Sequence, residues 1–266
     1  MLEGIGGEPA ISEHGRMRSP TLFEEQVESI LTIQAHQDDT DIACGGTIAK
    51  LTSMGKKVTY LLLTDGRHGV CDTDISAADA IKLRNEEQER AAKILGVSDV
   101  KFLDYPDQHL DSSLELRRRL IGIIRDIKPD VVFTFDPWRP YEGNRDHRHA
   151  GFMAIEAAGF AYDMYECPEK DTDLQMVLEM YLFQPFLPDT WIDITDTIDV
   201  KLEAIRQHET QLGDQIAKII EEKNARDGKK INRPYAEEFK VLKRGFPWVW
   251  DGLEIESWNP ENFTLK

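Results

Sequence analysis

A chain of 266 residues, 41% of them hydrophobic, is long enough to bury one sizeable α/β core. Its formal net charge of −17 leaves no basic footprint for nucleic acid or an anionic membrane surface, and no apolar stretch approaches the ~20 residues of a membrane span. Cys44, Cys71 and Cys167 have no metal-type spacing and no even count, which argues for a reducing compartment. With no basic-then-apolar segment at the start, the expected location is the cytoplasm.

Residues 1–20 carry Gly, Glu, Ser and Pro without periodicity and are expected to form a flexible tail, followed by a single domain over 21–266. The apolar run at 30–33 predicts a strand, and 42–54, opened by Gly45-Gly46 and stopped by Gly55, a helix. Residues 57–64 (KVTYLLLT) predict a buried strand ending in the turn Asp65-Gly66. Then come a helix over 84–95 with Gly96 as its stop, a short strand at 100–103, a helix over 114–127 and a buried strand at 131–135. A helix over 149–162, a loop at 166–173, strands at 177–183 and 191–194, and helices over 199–212 and 214–224 come next, before an irregular aromatic end. Strands alternating with helices predict a Rossmann-like, three-layer αβα fold with a mostly parallel sheet and a carboxyl-terminal elaboration.

Two clusters carry the chemistry. Ala35-His36-Gln37-Asp38-Asp39 follows the first strand, at the carboxyl end where open α/β sheets bind ligands. His36 and Asp39, three residues apart, can reach one divalent cation, and the neighbouring Asp38 then has room to act on a metal-bound water. Adjacent carboxylates repel, a cost that a cation relieves. Asn144-Arg145-Asp146-His147-Arg148-His149 is the only other place where His and Asp crowd together. An Asp-Asp pair before a helix also reads as a cap with a favourable dipole charge. The pairing of the two clusters points instead to a hydrolytic metal site.

These residues, in this order, resemble the LmbE-like (PIG-L) zinc de-N-acetylases, whose motifs read His-Pro-Asp-Asp and His-Pro-Asp-His. The nearest likeness is to the archaeal branch that deacetylates N,N′-diacetylchitobiose. It runs through Gly45-Gly46-Thr47-Ile48, Thr64-Asp65-Gly66, Arg84-Asn85-Glu86-Glu87, Tyr105-Pro106-Asp107, Asp136-Pro137-Trp138 and Pro140-Tyr141-Glu142 to Lys201, Ala204, His208 and Gln211. The resemblance implies Zn2+ on His36, Asp39 and His147, with water completing the shell; another divalent transition metal would suit the same ligands. It implies Asp38 as general base, Asp146 as the partner that orients a ligand, and Arg84 and Asp107 facing the sugar. Arg84 reads alternatively as a helix pair with Glu87 or Gln88, and Asp107 as a turn residue beside Pro106. Trp138 reads as a stacking ring and His208 as a pocket residue, each against a core-packing alternative. A homo-oligomer, trimer or hexamer, is implied by resemblance alone.

Two departures stand out. Gln37 replaces a turn-stiffening Pro. Asn144 replaces the first His of the second motif; its amide can donate to an oxyanion but cannot deliver a proton, which leaves that task to Asp38. Asn144 reads equally as a turn residue, and His149 offers an alternative imidazole that a helix would turn elsewhere. The expected substrate is an N-acetylglucosamine-containing small molecule, N,N′-diacetylchitobiose or N-acetylglucosamine. The alternatives are a glucosaminyl conjugate of low-molecular-weight thiol synthesis, a non-catalytic sugar-binding relative and a nucleotide-binding dehydrogenase. A pure binder needs no base at Asp38, and the dehydrogenase lacks Gly-x-Gly-x-x-Gly after its first strand.

Overall fold

Strand β1 (Ser29–Gln34) is buried from Ile30 onward on both faces, the pattern of a central parallel strand covered by helices on each side. The computed structural model describes residues 22–70, 74–168, 173–246 and 249–251. The tail expected over 1–20, Cys71 and Trp258 lie outside them. Helix α1 (Asp39–Ser53), β2 (Lys57–Thr64), α2 (Ala77–Ile94), β3 (Asp99–Tyr105), α3 (Leu114–Ile127), β4 (Val131–Phe135) and α4 (Arg145–Phe160) come after β1. Then come β5 (Glu179–Phe183), β6 (Thr190–Asp193), α5 (Ile198–Ile205), α6 (Gly213–Lys229), β7 (Ala236–Phe246) and β8 (Val249–Asp251).

The eight strands form one sheet in the order β3-β2-β1-β4-β5-β7-β6, with β8 on β7. Strands β1 to β5 pair in parallel, and β7 runs antiparallel to β5, β6 and β8. Helices α1, α2, α5 and α6 pack on one another, while α3 packs on α4, which gives the expected three-layer α/β fold. Chain order reverses between β1 and β4. The crevice beyond the carboxyl ends of those two strands is therefore where such a sheet binds its ligand. No helix among the described residues is long and apolar enough to cross a membrane.

Several boundaries differ from the sequence reading, each for a local reason. Helix α2 starts at Ala77 rather than at residue 84, because the Ser76 hydroxyl accepts from Asp79 N–H and caps it. Helix α4 starts at Arg145 rather than at 149, because Asn144 is its cap, so Asp146 and His147 lie in its first turn. Helix α5 stops at Ile205, short of 212. Strand β7 occupies a stretch to which the sequence reading gave no element, and β8 falls in the expected irregular end. In β7, Glu238 and Lys240 alternate with the buried Glu237, Phe239 and Val241 and dilute the apolar signal.

Helix α1 is broken at Cys44, whose φ of −145° is not helical. The Glu237 carboxylate reaches into the break and accepts from Gly46 N–H at 2.9 Å and Thr47 N–H at 2.7 Å, capping the second half of the helix. Lys201 Nζ pairs with it at 2.7 Å. A Cβ on Gly46 would lie 2.8 Å from Ile194 Cδ1, so the diglycine lets this break pack against the segment leading into α5.

Candidate metal centre and active site

β1 ends at Gln34, and two residues later the chain delivers His36 into the crevice. Asp38 then adopts φ +89°, a left-handed conformation that strains any residue with a Cβ and is typical of functional turns. Gln88 Oε1 accepts from Asp38 N–H at 2.9 Å and holds that turn from α2. Gln37, in the place of the family's Pro, reaches across the same turn: its Nε2 donates to Asn85 Oδ1 at 2.7 Å and to Asp65 O at 3.3 Å. Side-chain hydrogen bonds do here what a ring constraint would otherwise do.

Ligand atoms of His36, Asp39 and His147 all lie within 4.8 Å of one another. His36 Nδ1 stands 3.6 Å from Asp39 Oδ2, and His147 Nε2 stands 3.4 Å from Asp39 Oδ1. The other nitrogen of each ring faces a different carboxylate. His36 Nε2 meets Asp107 Oδ1 at 3.1 Å and Asp146 Oδ2 at 3.3 Å, and His147 Nδ1 lies 3.6 Å from Glu142 Oε1. Imidazole ligands need such partners to fix tautomer and orientation. His36, Asp107 and Asp146 also approach within 4.8 Å of one another. They are poorly placed for a second ion, because Asp146 already accepts from Gln108 N–H at 2.7 Å and Leu110 N–H at 3.1 Å.

The electrostatics fit a cation. Burial opposes charge on His36, yet Asp107, Asp146 and Asp39 outweigh it and raise its pKa well above the ordinary value. His147 is raised against burial by Asp39. Burial pushes Asp39 up, but the two imidazoles hold it far below the usual carboxylate range. Carboxylates that favour the charged form of both imidazoles mark a pocket of negative potential, and two imidazoles with one carboxylate are a donor set suited to a divalent transition metal. Asp38 differs from Asp39. Burial raises its pKa, Arg84 only partly offsets this, and Asp39 beside it adds to the rise.

A cavity of about 270 Å³ opens over these groups, lined by His36, Asp38, Asp39, Arg84, Asp107, Asn144 and His147 among others. Arg84 Nη2 donates to Gln37 O at 2.6 Å and Asp38 Oδ2 at 3.1 Å, and its Nη1 stands 3.7 Å from Glu87 Oε2, the helix pair that the sequence also offered. Asp107 is engaged three times, by His36, by His68 N–H at 2.9 Å and by Gln108 Nε2 at 3.3 Å, so it braces the site as well as facing the cavity. Asn144 Oδ1 accepts from Asp146 N–H at 2.9 Å.

Two expected residues, Trp138 and His208, sit elsewhere, and His149 points away as anticipated. Trp138 is 58% exposed, stands edge-on to Phe152 at 5.7 Å and lines a separate groove with Phe186 and Leu187. The chain turns it outward because Asp136 accepts from Trp138 N–H and fixes the loop. His208 is fully buried, with its Nε2 2.8 Å from Asp41 Oδ2, and packs behind the site rather than lining it. His149 faces Ser112 Oγ at 2.6 Å, as its position on the helix dictates. Sequence reasoning gave no role to Gln88, Glu142 or Gln184. Only Glu142 left a signal, as a carboxylate two residues before the second cluster.

Residues 31–158 match the PIG-L family, described as GlcNAc-PI de-N-acetylase. The chain is 40% identical over 199 residues to the diacetylchitobiose deacetylase of Thermococcus kodakarensis, covering 73% of this chain and 74% of that one. It superposes on the N,N′-diacetylchitobiose deacetylase from Pyrococcus horikoshii with a TM-score of 0.78 at 35% identity, over 82% of this chain and 85% of the other. A 4-oxalmesaconate hydratase of Pseudomonas putida is 30% identical over 203 residues, covering 73% and 78% of the two chains. Matched across most of its length by such relatives, the chain belongs to the PIG-L family.

Proposed function

We propose that this chain is a divalent-metal-dependent hydrolase that removes the N-acetyl group from N-acetylglucosamine or N,N′-diacetylchitobiose, with zinc as its ion. The observation that carries the reading is the convergence of His36, Asp39 and His147 beside a buried, strained Asp38 in one cavity. Its volume of about 270 Å³ is near the small end of ligand sites and suits one sugar ring with its acetamido group.

His36, Asp39 and His147 would hold the ion, which when bound polarises the amide carbonyl and makes water acidic enough to be deprotonated near neutral pH. Asp38, anchored through one oxygen by Arg84, accepts a proton from the attacking water with the other. Its raised pKa lets the same carboxyl return that proton to the amine nitrogen as the C–N bond breaks, giving acetate and the free amino sugar. The Asn144 oxygen is spent on capping α4, so its NH2 is the group available to the developing oxyanion. Arg84 is buried between two carboxylates, its Nη2 on Asp38 and its Nη1 3.7 Å from Glu87 Oε2, so its task is to hold Asp38 in place.

The test is amine and acetate release from N-acetylglucosamine and its β-1,4 dimer by metal-loaded protein, with metal content measured alongside. Zinc and sugar bound with no amine released would favour a binding protein, and turnover confined to a glucosaminyl conjugate would favour thiol synthesis. The Pseudomonas relative makes hydration a second reading. A polycarboxylate would have to enter a cavity lined by Asp38, Asp39 and Asp107, whose one Arg is already engaged by Asp38. A cytoplasmic location and a trimer or hexamer belong to the same reading; light scattering tests the latter.

A further inference from the structure

Gln184 directly succeeds β5 and holds φ at +52°, a left-handed conformation that glycine or asparagine adopts more cheaply. A glutamine kept there draws attention to its side chain, which lines the cavity. Its position is fixed from several directions. Asp136, just past β4, accepts from Trp138 N–H at 3.0 Å and from Phe186 N–H at 2.9 Å, which ties together the loops on either side. Arg139 Nη1 donates to Gln184 Oε1 at 2.7 Å. A guanidinium has no acceptor, so the amide oxygen must face it. The two N–H donors of Nε2 remain, with no partner among the described residues.

Arg139 also stands 3.5 Å from Glu142 Oε2, and Glu142 Oε1 accepts from Asn144 N–H at 2.9 Å and lies 3.6 Å from His147 Nδ1. One chain of contacts thus runs from a metal-site imidazole to Gln184. The strand order places His68, beyond β2, and Gln184, beyond β5, on opposite sides of His36. Arg84 belongs to the β2 side, where its Nε would lie 2.9 Å from a Cβ on Gly69.

We propose that Gln184 is a specificity-determining residue whose Nε2 donates to a hydroxyl oxygen of the sugar, on the side of the reacting amide away from Arg84. Arg139 is its positioning residue, setting which end of the amide the substrate meets. The inference deepens the de-N-acetylase reading and rests on it. An amide locked as a donor selects an oxygen acceptor, here a sugar hydroxyl, and gains nothing from an ammonium or an apolar group.

The experiment compares metal-loaded wild type, Gln184→Leu and Arg139→Met. Gln184→Leu is expected to raise KM for N-acetylglucosamine about five- to tenfold, the effect of one neutral hydrogen bond, with kcat within about twofold. Metal content should not change. Arg139→Met should raise KM by a smaller factor, because the released amide can rotate and present either end. Unchanged KM, a fall in kcat alone, or lost metal in Gln184→Leu overturns the proposal. Wild type that releases no amine from either sugar defeats the N-acetylglucosamine and N,N′-diacetylchitobiose reading separately. Calorimetric titration of N-acetylglucosamine then decides Gln184 without turnover, and an equal Kd for wild type and Gln184→Leu overturns it.

Discussion

His36 Nε2 and Asp146 Oδ2 lie 3.3 Å apart although 110 positions separate them in the chain. Asp146 is itself held by two backbone N–H groups, so it acts as a fixed post for the imidazole. That turns Nδ1 of the ring toward Asp39 and His147, so the second cluster carries a partner that orients the histidine of the first.

Replacing Asp146 by Ala should therefore weaken metal binding by about 10- to 100-fold, the usual effect of removing an orienting partner. Competition against a chelator of known affinity measures this, and circular dichroism checks that the fold survives. Affinity equal to wild type would show that His36 needs no post.

Asp38→Asn should retain the metal and lose about 10²- to 10⁴-fold in kcat, since the amide cannot accept the water proton. The pH dependence has a definite sign. Burial raises the Asp38 pKa above the ordinary carboxylate value, and only the ionised form is a base. Activity is thus present above that pKa and is lost as pH falls through it, at a higher pH than an exposed Asp would give. An acid limb that persists unchanged in the residual activity of Asp38→Asn would assign it to another group.

The convergence of the candidate ligands was legible because two of them, His36 and Asp39, sit within three residues of each other just past β1, and His147 lies in the first turn of the helix that follows β4. The same logic could not see orientation. Trp138 and His208 are residue types that suit a sugar pocket, but backbone hydrogen bonds of one loop and the buried Asp41 direct them elsewhere. Arg139 touches both Glu142 and Gln184, and a three-residue relay across two loops leaves no periodic trace. Strand β7 was hidden for a related reason. Its inward Glu237 is charged, and only the fold supplies the Lys201 that makes such burial tolerable.

Asn144 carries two roles that substitutions can separate. Asn144→Asp keeps an oxygen for Asp146 N–H, so α4 should remain capped and stability should change by less than ~1 kcal/mol. It removes the NH2 donor and should lower kcat by about 10²-fold, the scale of a lost oxyanion donor. Asn144→Ala should show the same kinetic loss together with about 1 kcal/mol of destabilisation. Steady-state kinetics and urea unfolding on both variants test this, and a fully active Asn144→Asp would leave only the cap.

The Lys201–Glu237 pair should respond asymmetrically. Both side chains are fully buried, and Glu237 also caps the broken helix α1. Glu237→Ala leaves an ammonium with only Asn224 Oδ1 and strands two N–H groups, which should cost about 3–5 kcal/mol. Lys201→Met should cost less, because the carboxylate keeps Gly46 and Thr47 N–H and the positive end of a helix. Urea denaturation gives both values; a larger loss for Lys201→Met would mean that the cap contributes little.

Glu179 on β5 predicts how stability varies with pH. Its side chain is 1% exposed, with Lys243 Nζ 3.7 Å away and half in solvent. Burial pushes its pKa from 4.5 to about 7, the Lys243 charge and Tyr181 hydroxyl offsetting only part of the penalty. The native state therefore holds this proton more tightly than the unfolded chain. The contribution is fully present below about pH 4.5 and disappears as pH rises through about 7, a change of roughly 3 kcal/mol at most. Gln cannot ionise, so Glu179→Gln should become more stable relative to wild type between pH 5 and pH 8 by an amount approaching that figure. Denaturant unfolding of both proteins at the two pH values measures the difference, and parallel losses in the two would show that Glu179 ionises as readily in the fold as in the unfolded chain.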